Sequence, residues 1–188
     1  MHLPATLTSI LLLTAAVPGA AQASSLKAAI ATQPALVTCV GQSADIEMVK
    51  VLLTRGKLAF KADPQARAGA LAATGSKTLV LVIGGSSKGL GAAGISPEVD
   101  IERAKGLVAE ARKSGCKVIG LHVGGEGRRG QMSDKFIQGA VPLCDYVVVV
   151  AGGNKDGLFN QLCGKGKIPL DSVEKIALAG APIVKAFH

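Results

Sequence analysis

Thr78-Leu79-Val80-Leu81-Val82-Ile83, followed at once by Gly84-Gly85-Ser86-Ser87-Lys88-Gly89-Leu90-Gly91-Ala92-Ala93-Gly94, decides how this chain folds. The first six residues are apolar beyond the opening threonine and largely β-branched. Such a run forms a strand buried on both faces, and a strand of that kind needs parallel neighbours with helices above and below the sheet. The next eleven residues hold five glycines, two serines and one lysine. They have little packing value at the end of a buried strand. They let the backbone turn sharply, aim several N–H groups at one place and set a positive charge beside them, which is the chemistry of an anion cradle.

Working outward, residues 35–40 read as a first strand, and residues 44–55 as a helix with Ile46, Val49, Leu52 and Leu53 at helical spacing before Gly56 ends it. Residues 57–61 alternate polar and apolar, as a short edge strand does. Asp63-Pro64 reads as an N-cap with proline at the first helical position, opening an alanine-rich helix to residue 73. After the glycine segment, which is expected to stay a loop, Ser96-Pro97-Glu98 caps a helix that Gly115 stops. Residues 116–123 and 145–151 read as fourth and fifth strands, with a helix between them opened by Gln131 or Ser133. Helical residues 156–163 follow, then a helix capped by Asp171, then a short tail over 182–188.

Five strands alternating with five helices predict an α/β fold: a three-layer sandwich around a mostly parallel five-stranded sheet. Right-handed crossovers favour the flavodoxin-like or Rossmann-like order 2-1-3-4-5. A crevice is then expected where the order reverses, between the carboxyl ends of strands one and three. Gly41-Gln42-Ser43 and the glycine segment would line it.

The opening residues read as a signal peptide over 1–23. Residues 7–16 are apolar, Pro18-Gly19 interrupts them, Ala21-Gln22-Ala23 fits a small-x-small cleavage site, and no Asp, Glu, Lys or Arg occurs before Lys27. Residues 24–188 are expected to be one periplasmic or secreted domain, with no membrane span after cleavage. A net charge of +8 invites a nucleic-acid reading, but aromatics are 3% and tryptophan is absent, so stacking platforms are lacking. The basic surface favours anionic partners in general. Cys39, Cys116, Cys144 and Cys163 have no metal-site spacing, and neither a metal nor a cofactor is expected. Buried free thiols are one reading of them. A bridge between Cys116 and Cys144, at the amino ends of neighbouring strands, is the alternative.

Residues 84–91 resemble the cofactor loop of short-chain dehydrogenases, with Gly85, Gly89 and Gly91 matching T-G-x-x-x-G-x-G. The resemblance stops at the loop, because Tyr146 precedes four valines where that family needs Tyr-x-x-x-Lys. Gly41-Gln42-Ser43 resembles the Gly-x-Ser nucleophile block of SGNH-type serine esterases, and Gly153-Asn154 with Asp156 echoes their Gly-x-Asn-Asp block. That resemblance implies Ser43 as nucleophile, with His122 as the available base for esters or phosphoesters. The histidine is expected to stand too far from Ser43 for a direct hydrogen bond, since a whole strand separates them. Ser43 also reads as an ordinary N-cap, and His122 as a structural histidine at a strand end.

Val40-Gly41-Gln42-Ser43, residues 77–94, residues 122–130 with Ser133-Asp134, and residues 145–157 together resemble an uncharacterised family of exported bacterial proteins known only as a domain of unknown function. The function expected from the residues is recognition of a small anion, carboxylate or phosphate, by glycine-rich loops. Gly41, Gln42, Ser43, Gly85, Ser86, Ser87, Lys88, Gly89, Gly91, His122, Arg128, Arg129 and Asn154 are the candidate contacts. A transport or sensing protein would be the partner. A protein-interaction module without catalysis is the third reading.

Overall fold

The β-branched runs form one sheet in the computed structural model, which describes residues 24–187. The signal segment therefore lies outside the described residues. The strands are β1 (Ala35–Val40), β2 (Phe60–Ala62), β3 (Thr78–Ile83), β4 (Lys117–His122), β5 (Tyr146–Val150) and β6 (Leu170–Val173). The helices are α1 (Asp45–Arg55), α2 (Ala70–Thr74), α3 (Ser87–Ala93), α4 (Pro97–Lys113), α5 (Gln131–Ala140), α6 (Leu158–Gly166) and α7 (Gly180–Lys185). All strand pairs are parallel, in the order β2-β1-β3-β4-β5-β6. The expected 2-1-3-4-5 arrangement is present and a sixth strand extends it, giving a Rossmann-like α/β fold.

Alternation along the strands sorts the core into two layers. Leu79, Leu81 and Ile83 of β3 face Leu107, Phe136 and Phe159 from α4, α5 and α6. Val80 and Val82 face the other way, toward Val49 and Leu53 of α1 and Ile183 of α7. Every residue of β1, β3 and β5 is buried, as strands covered on both faces must be.

Three local expectations are corrected, and the two readings of the cysteines are decided. Asp171 does not cap a helix: its neighbours form β6, and its carboxylate accepts hydrogen bonds from the Tyr146 hydroxyl and the Ser25 N–H, each at 2.5 Å. Residues 63–69 are not helical, because the Pro64 carbonyl accepts from Cys39 N–H, Thr38 Oγ1 and Gln42 Nε2 and is unavailable to a helical ladder. The glycine segment does contain a helix: Ser86 caps α3 by accepting from Gly89 N–H at 3.1 Å, and Gly94 ends it in a left-handed conformation. All four cysteines are buried and free. Cys144 directs its Sγ to the Ala140 carbonyl and Cys116 to that of Ser76, so the free-thiol reading holds and the alternative bridge is not formed.

Candidate functional site

β1 and β3 are in register from Ala35↔Thr78 to Val40↔Ile83, so the loops that follow them start at one level. The crevice expected there is filled by the loops themselves. Gln42 and Gly85 pair as an antiparallel bridge, and Ser86 N–H donates to Gly41 O at 2.8 Å. The approach demands glycine at two points. A Cβ on Gly41, whose φ is +101°, would lie 2.4 Å from Gly84 O, and one on Gly89 would lie 1.9 Å from Gln42 O. The pattern that reads as a phosphate loop serves here to seat one loop against another.

Beneath that contact lies a buried polar cluster. Asp100 Oδ2 accepts from Gly41 N–H at 2.6 Å, and its Oδ1 accepts from Gln42 Nε2 at 3.0 Å and from Arg103 Nε at 2.8 Å. Arg103 also donates to Ala66 O at 2.6 Å, to Thr38 Oγ1, and to Cys39 O. Gln42, held at φ +55°, is thus committed to the scaffold. Ser43 is buried, and its hydroxyl accepts from Asp45 N–H at 3.2 Å in a local turn; the N-cap of α1 is Ala44, so the expected capping role of Ser43 is corrected.

His122 ends β4 and is fully buried against Phe159, with ring centroids 5.1 Å apart. Its Nδ1 lies 2.9 Å from Ile83 O, which accepts only if that nitrogen carries the proton. Nε2 then presents a bare lone pair, and it is the one buried side-chain nitrogen or oxygen without a hydrogen-bond partner among the described residues. Gly153 covers it so closely that a Cβ there would lie 2.6 Å away. Burial pushes the imidazole pKa down, partly opposed by the Ile83 carbonyl, the Asp45 carboxylate and the Gly125 carbonyl. No hydrogen bond joins Ser43 to His122 among the described residues, as the strand between them predicts.

An open cleft lies one strand over, between the loops after β3 and β4. About 370 Å³ is enclosed by Gly85, Ser86, Ser87 and Lys88 on one side and residues 127–133 on the other. Six sequence candidates meet there: Gly85, Ser86, Ser87, Lys88, Arg128 and Arg129. Gly41, Gln42, Ser43, Gly89, Gly91, His122 and Asn154 do not line it. Asn154 instead accepts from Phe159 N–H at 2.9 Å and binds Asn160, capping α6. Sequence reading passed over Gln131, Met132 and Ser133 as lining residues. The signal available was their position, directly behind Arg128-Arg129-Gly130 at the opening of α5.

Both arginines are engaged. Arg128 reaches Asp45 with Nε at 3.0 Å and a second nitrogen at 3.2 Å, tying the β4 loop to α1. Arg129 donates to Asp134 at 2.7 Å, to Gly153 O at 2.6 Å and to both oxygens of Asp156 at 2.9 and 2.7 Å. The Asp156 and Asp134 carboxylates raise the pKa of Arg129, which holds Asp156 down at about 2. Lys88 is exposed and has no hydrogen-bond or ion-pair partner among the described residues. The backbone N–H groups expected to cradle an anion are partly spent: Gly85 N–H donates to Ser133 Oγ at 3.0 Å, and Gly89 N–H to Ser86 Oγ. Among the described residues no three His, Cys, Asp or Glu side chains gather in a way that would hold a metal ion, and no helix is long and apolar enough to cross a membrane.

Residues 32–187 match the family described as Domain of unknown function (DUF6305). The chain belongs to that family. The DUF6305 match spans the sheet, the buried polar cluster and both walls of the cleft. No match is found among curated proteins. Likeness to solved structures is distant. A truncated 3-deoxy-D-arabino-heptulosonate 7-phosphate synthase from Thermotoga maritima aligns at 12% identity over 86% of this chain and 52% of that one, with a TM-score of 0.36. The psychrotrophic esterase EstA from Pseudoalteromonas sp. aligns at 11% identity over 77% of this chain and 78% of that one, with a TM-score of 0.37. The DUF6305 chain thus spans about half the length of the synthase. Similarities at this level carry no argument about its chemistry.

Proposed function

We propose that this DUF6305 protein is an exported, periplasmic or secreted binding domain that recognises a small anionic molecule in the cleft between residues 85–88 and 127–133. Lys88 carries the reading. It is the lining cation without a carboxylate partner among the described residues, and it stands beside the hydroxyls of Ser86 and Ser87. An exposed ammonium in the first turn of α3 is available to a ligand in a way that Arg128 and Arg129 are not. The cleft volume of about 370 Å³ falls in the range of about 300–1,000 Å³ common to small-molecule sites. Export rests on the composition of residues 1–23, and delivery of the ligand to a transport or sensing protein follows from that compartment.

Thermal denaturation of the purified domain against a panel of carboxylates and phosphates tests the reading. A ligand that binds only the folded state raises Tm in a concentration-dependent way. Stabilisation by one class of anion, absent with neutral analogues, is the expected result. A Tm indifferent to every anion in the panel sinks it.

A further inference from the structure

We propose that the cleft is built for a ligand bearing a single negative charge, a hydroxylated monocarboxylate, and that it discriminates against phosphate esters. This inference rests on the anion-binding reading above and narrows it. The argument is one of charge and of free donors. Phosphate is recognised best by guanidinium forks that grip two of its oxygens at once. Here the Arg129 fork is taken in full, and Arg128 keeps a single terminal nitrogen without a partner among the described residues. Arg128 spends its Nε and one terminal nitrogen on Asp45, and Arg129 spends its Nε and both terminal nitrogens on Asp134, Asp156 and Gly153 O.

The carboxylates that occupy the forks also set the potential. Lys88, Arg128 and Arg129 meet Asp45, Asp134 and Asp156, so the lining cations and their partners carry no net charge together. The neighbouring Glu126 is matched by Lys155 at 2.5 Å. One anionic group beside Lys88 gains an unshared attraction. A second negative charge on the same ligand finds no other lining cation without a carboxylate partner among the described residues, and is repelled by the Asp134 and Asp156 carboxylates that hold Arg129. A phosphate monoester carries about −1.5 to −2 at neutral pH and meets that repulsion in full. Besides Lys88, the polar side chains of the lining without any hydrogen-bond partner among the described residues are Ser87 and Gln131, neutral groups that suit hydroxyls. Met132 is the single large apolar side chain in the lining.

Calorimetric titration of the whole mature chain at neutral pH with gluconate, glucose 6-phosphate and glucose decides the matter. Gluconate is expected to bind at least tenfold more tightly than either of the others. In Asp156→Asn, which frees part of the Arg129 fork and removes one negative charge, glucose 6-phosphate is expected to gain at least threefold relative to gluconate. Glucose 6-phosphate binding as tightly as gluconate in the wild type overturns the monoanion inference and leaves the anion-binding reading standing. An unchanged ratio in Asp156→Asn overturns the charge argument likewise. Binding of neither anion overturns the monocarboxylate inference and leaves the anion-binding reading to the thermal panel, whereas glucose binding as tightly as gluconate overturns both.

Discussion

Lys88 and His122 are opposite cases of a charged or chargeable side chain near the same strand ends. Lys88 projects into solvent from the first turn of α3 and packs against nothing the fold needs. Replacing it with alanine is expected to change unfolding stability by no more than about 0.5 kcal/mol while weakening gluconate binding at least tenfold, read by urea denaturation and calorimetry side by side. A large stability loss with unchanged binding would make Lys88 structural. His122 is closed in by Gly153 and Phe159 and is kept neutral by burial. Its folded pKa lies below the ordinary 6.5, so the unfolded chain takes up a proton first as pH falls. Stability from this group is complete above pH 6.5 and declines below it by up to about 1.4 kcal/mol per pH unit until the folded pKa is reached. Urea denaturation at about pH 7.5 and about pH 5.5 should show that loss in the wild type and a smaller one in His122→Asn, which keeps an amide donor for Ile83 O. Equal slopes would mean that the imidazole is already solvated.

At the scale of elements, the buried Asp100–Arg103 pair connects α4 to the loop after β1 and to the turn at Ala66. Removing one partner of a buried pair strands the other charge, so Asp100→Ala is expected to cost about 3–5 kcal/mol in urea denaturation. Glu47→Ala, which breaks the exposed pair with Lys50, should cost no more than about 1 kcal/mol. Comparable losses in the two variants would show that the buried cluster is solvated. Sequence alone reveals the central strands because their burial on both faces leaves continuous β-branched runs. It hides β6, where Leu170-Asp171-Ser172-Val173 sets two polar residues between apolar ends without alternation, and the carboxylate of Asp171 is satisfied by Tyr146 and Ser25 from distant parts of the chain. The site shows the same division. Arg128-Arg129 between glycines stands out as a cationic turn, yet the partner that commits Arg128, Asp45, lies 83 positions earlier. A local pattern cannot show which cation is left free, and that is what moves the candidate cleft from the β1–β3 boundary to β3–β4.

At the scale of the molecule, the four cysteines sit in the two core layers away from solvent. Burial raises the thiol pKa to about 12 for Cys39 and about 11 for Cys163, and upward for Cys116 and Cys144, leaving almost no thiolate to react. Alkylation without reductant is expected to label none of them quickly in the native protein and all four in denaturant, counted by mass spectrometry. Two unlabelled cysteines in denaturant would reveal a bridge. The contact between the two ends of the described chain has a kinetic side. Ile30 and Ala31 both donate to Ala186 O, Ala31 bridges Phe187, and α7 packs on α1. These are among the most non-local pairings a chain of this length can make, and non-local pairings form late because the loop entropy must be overcome first. A nascent chain can pair β1 with β2 and β3 early, but it cannot close the contact of Ile30 and Ala31 until α7 has been synthesised. Until then the seam between the two ends of the described chain stays unmade, and it is the last part of the fold that can close.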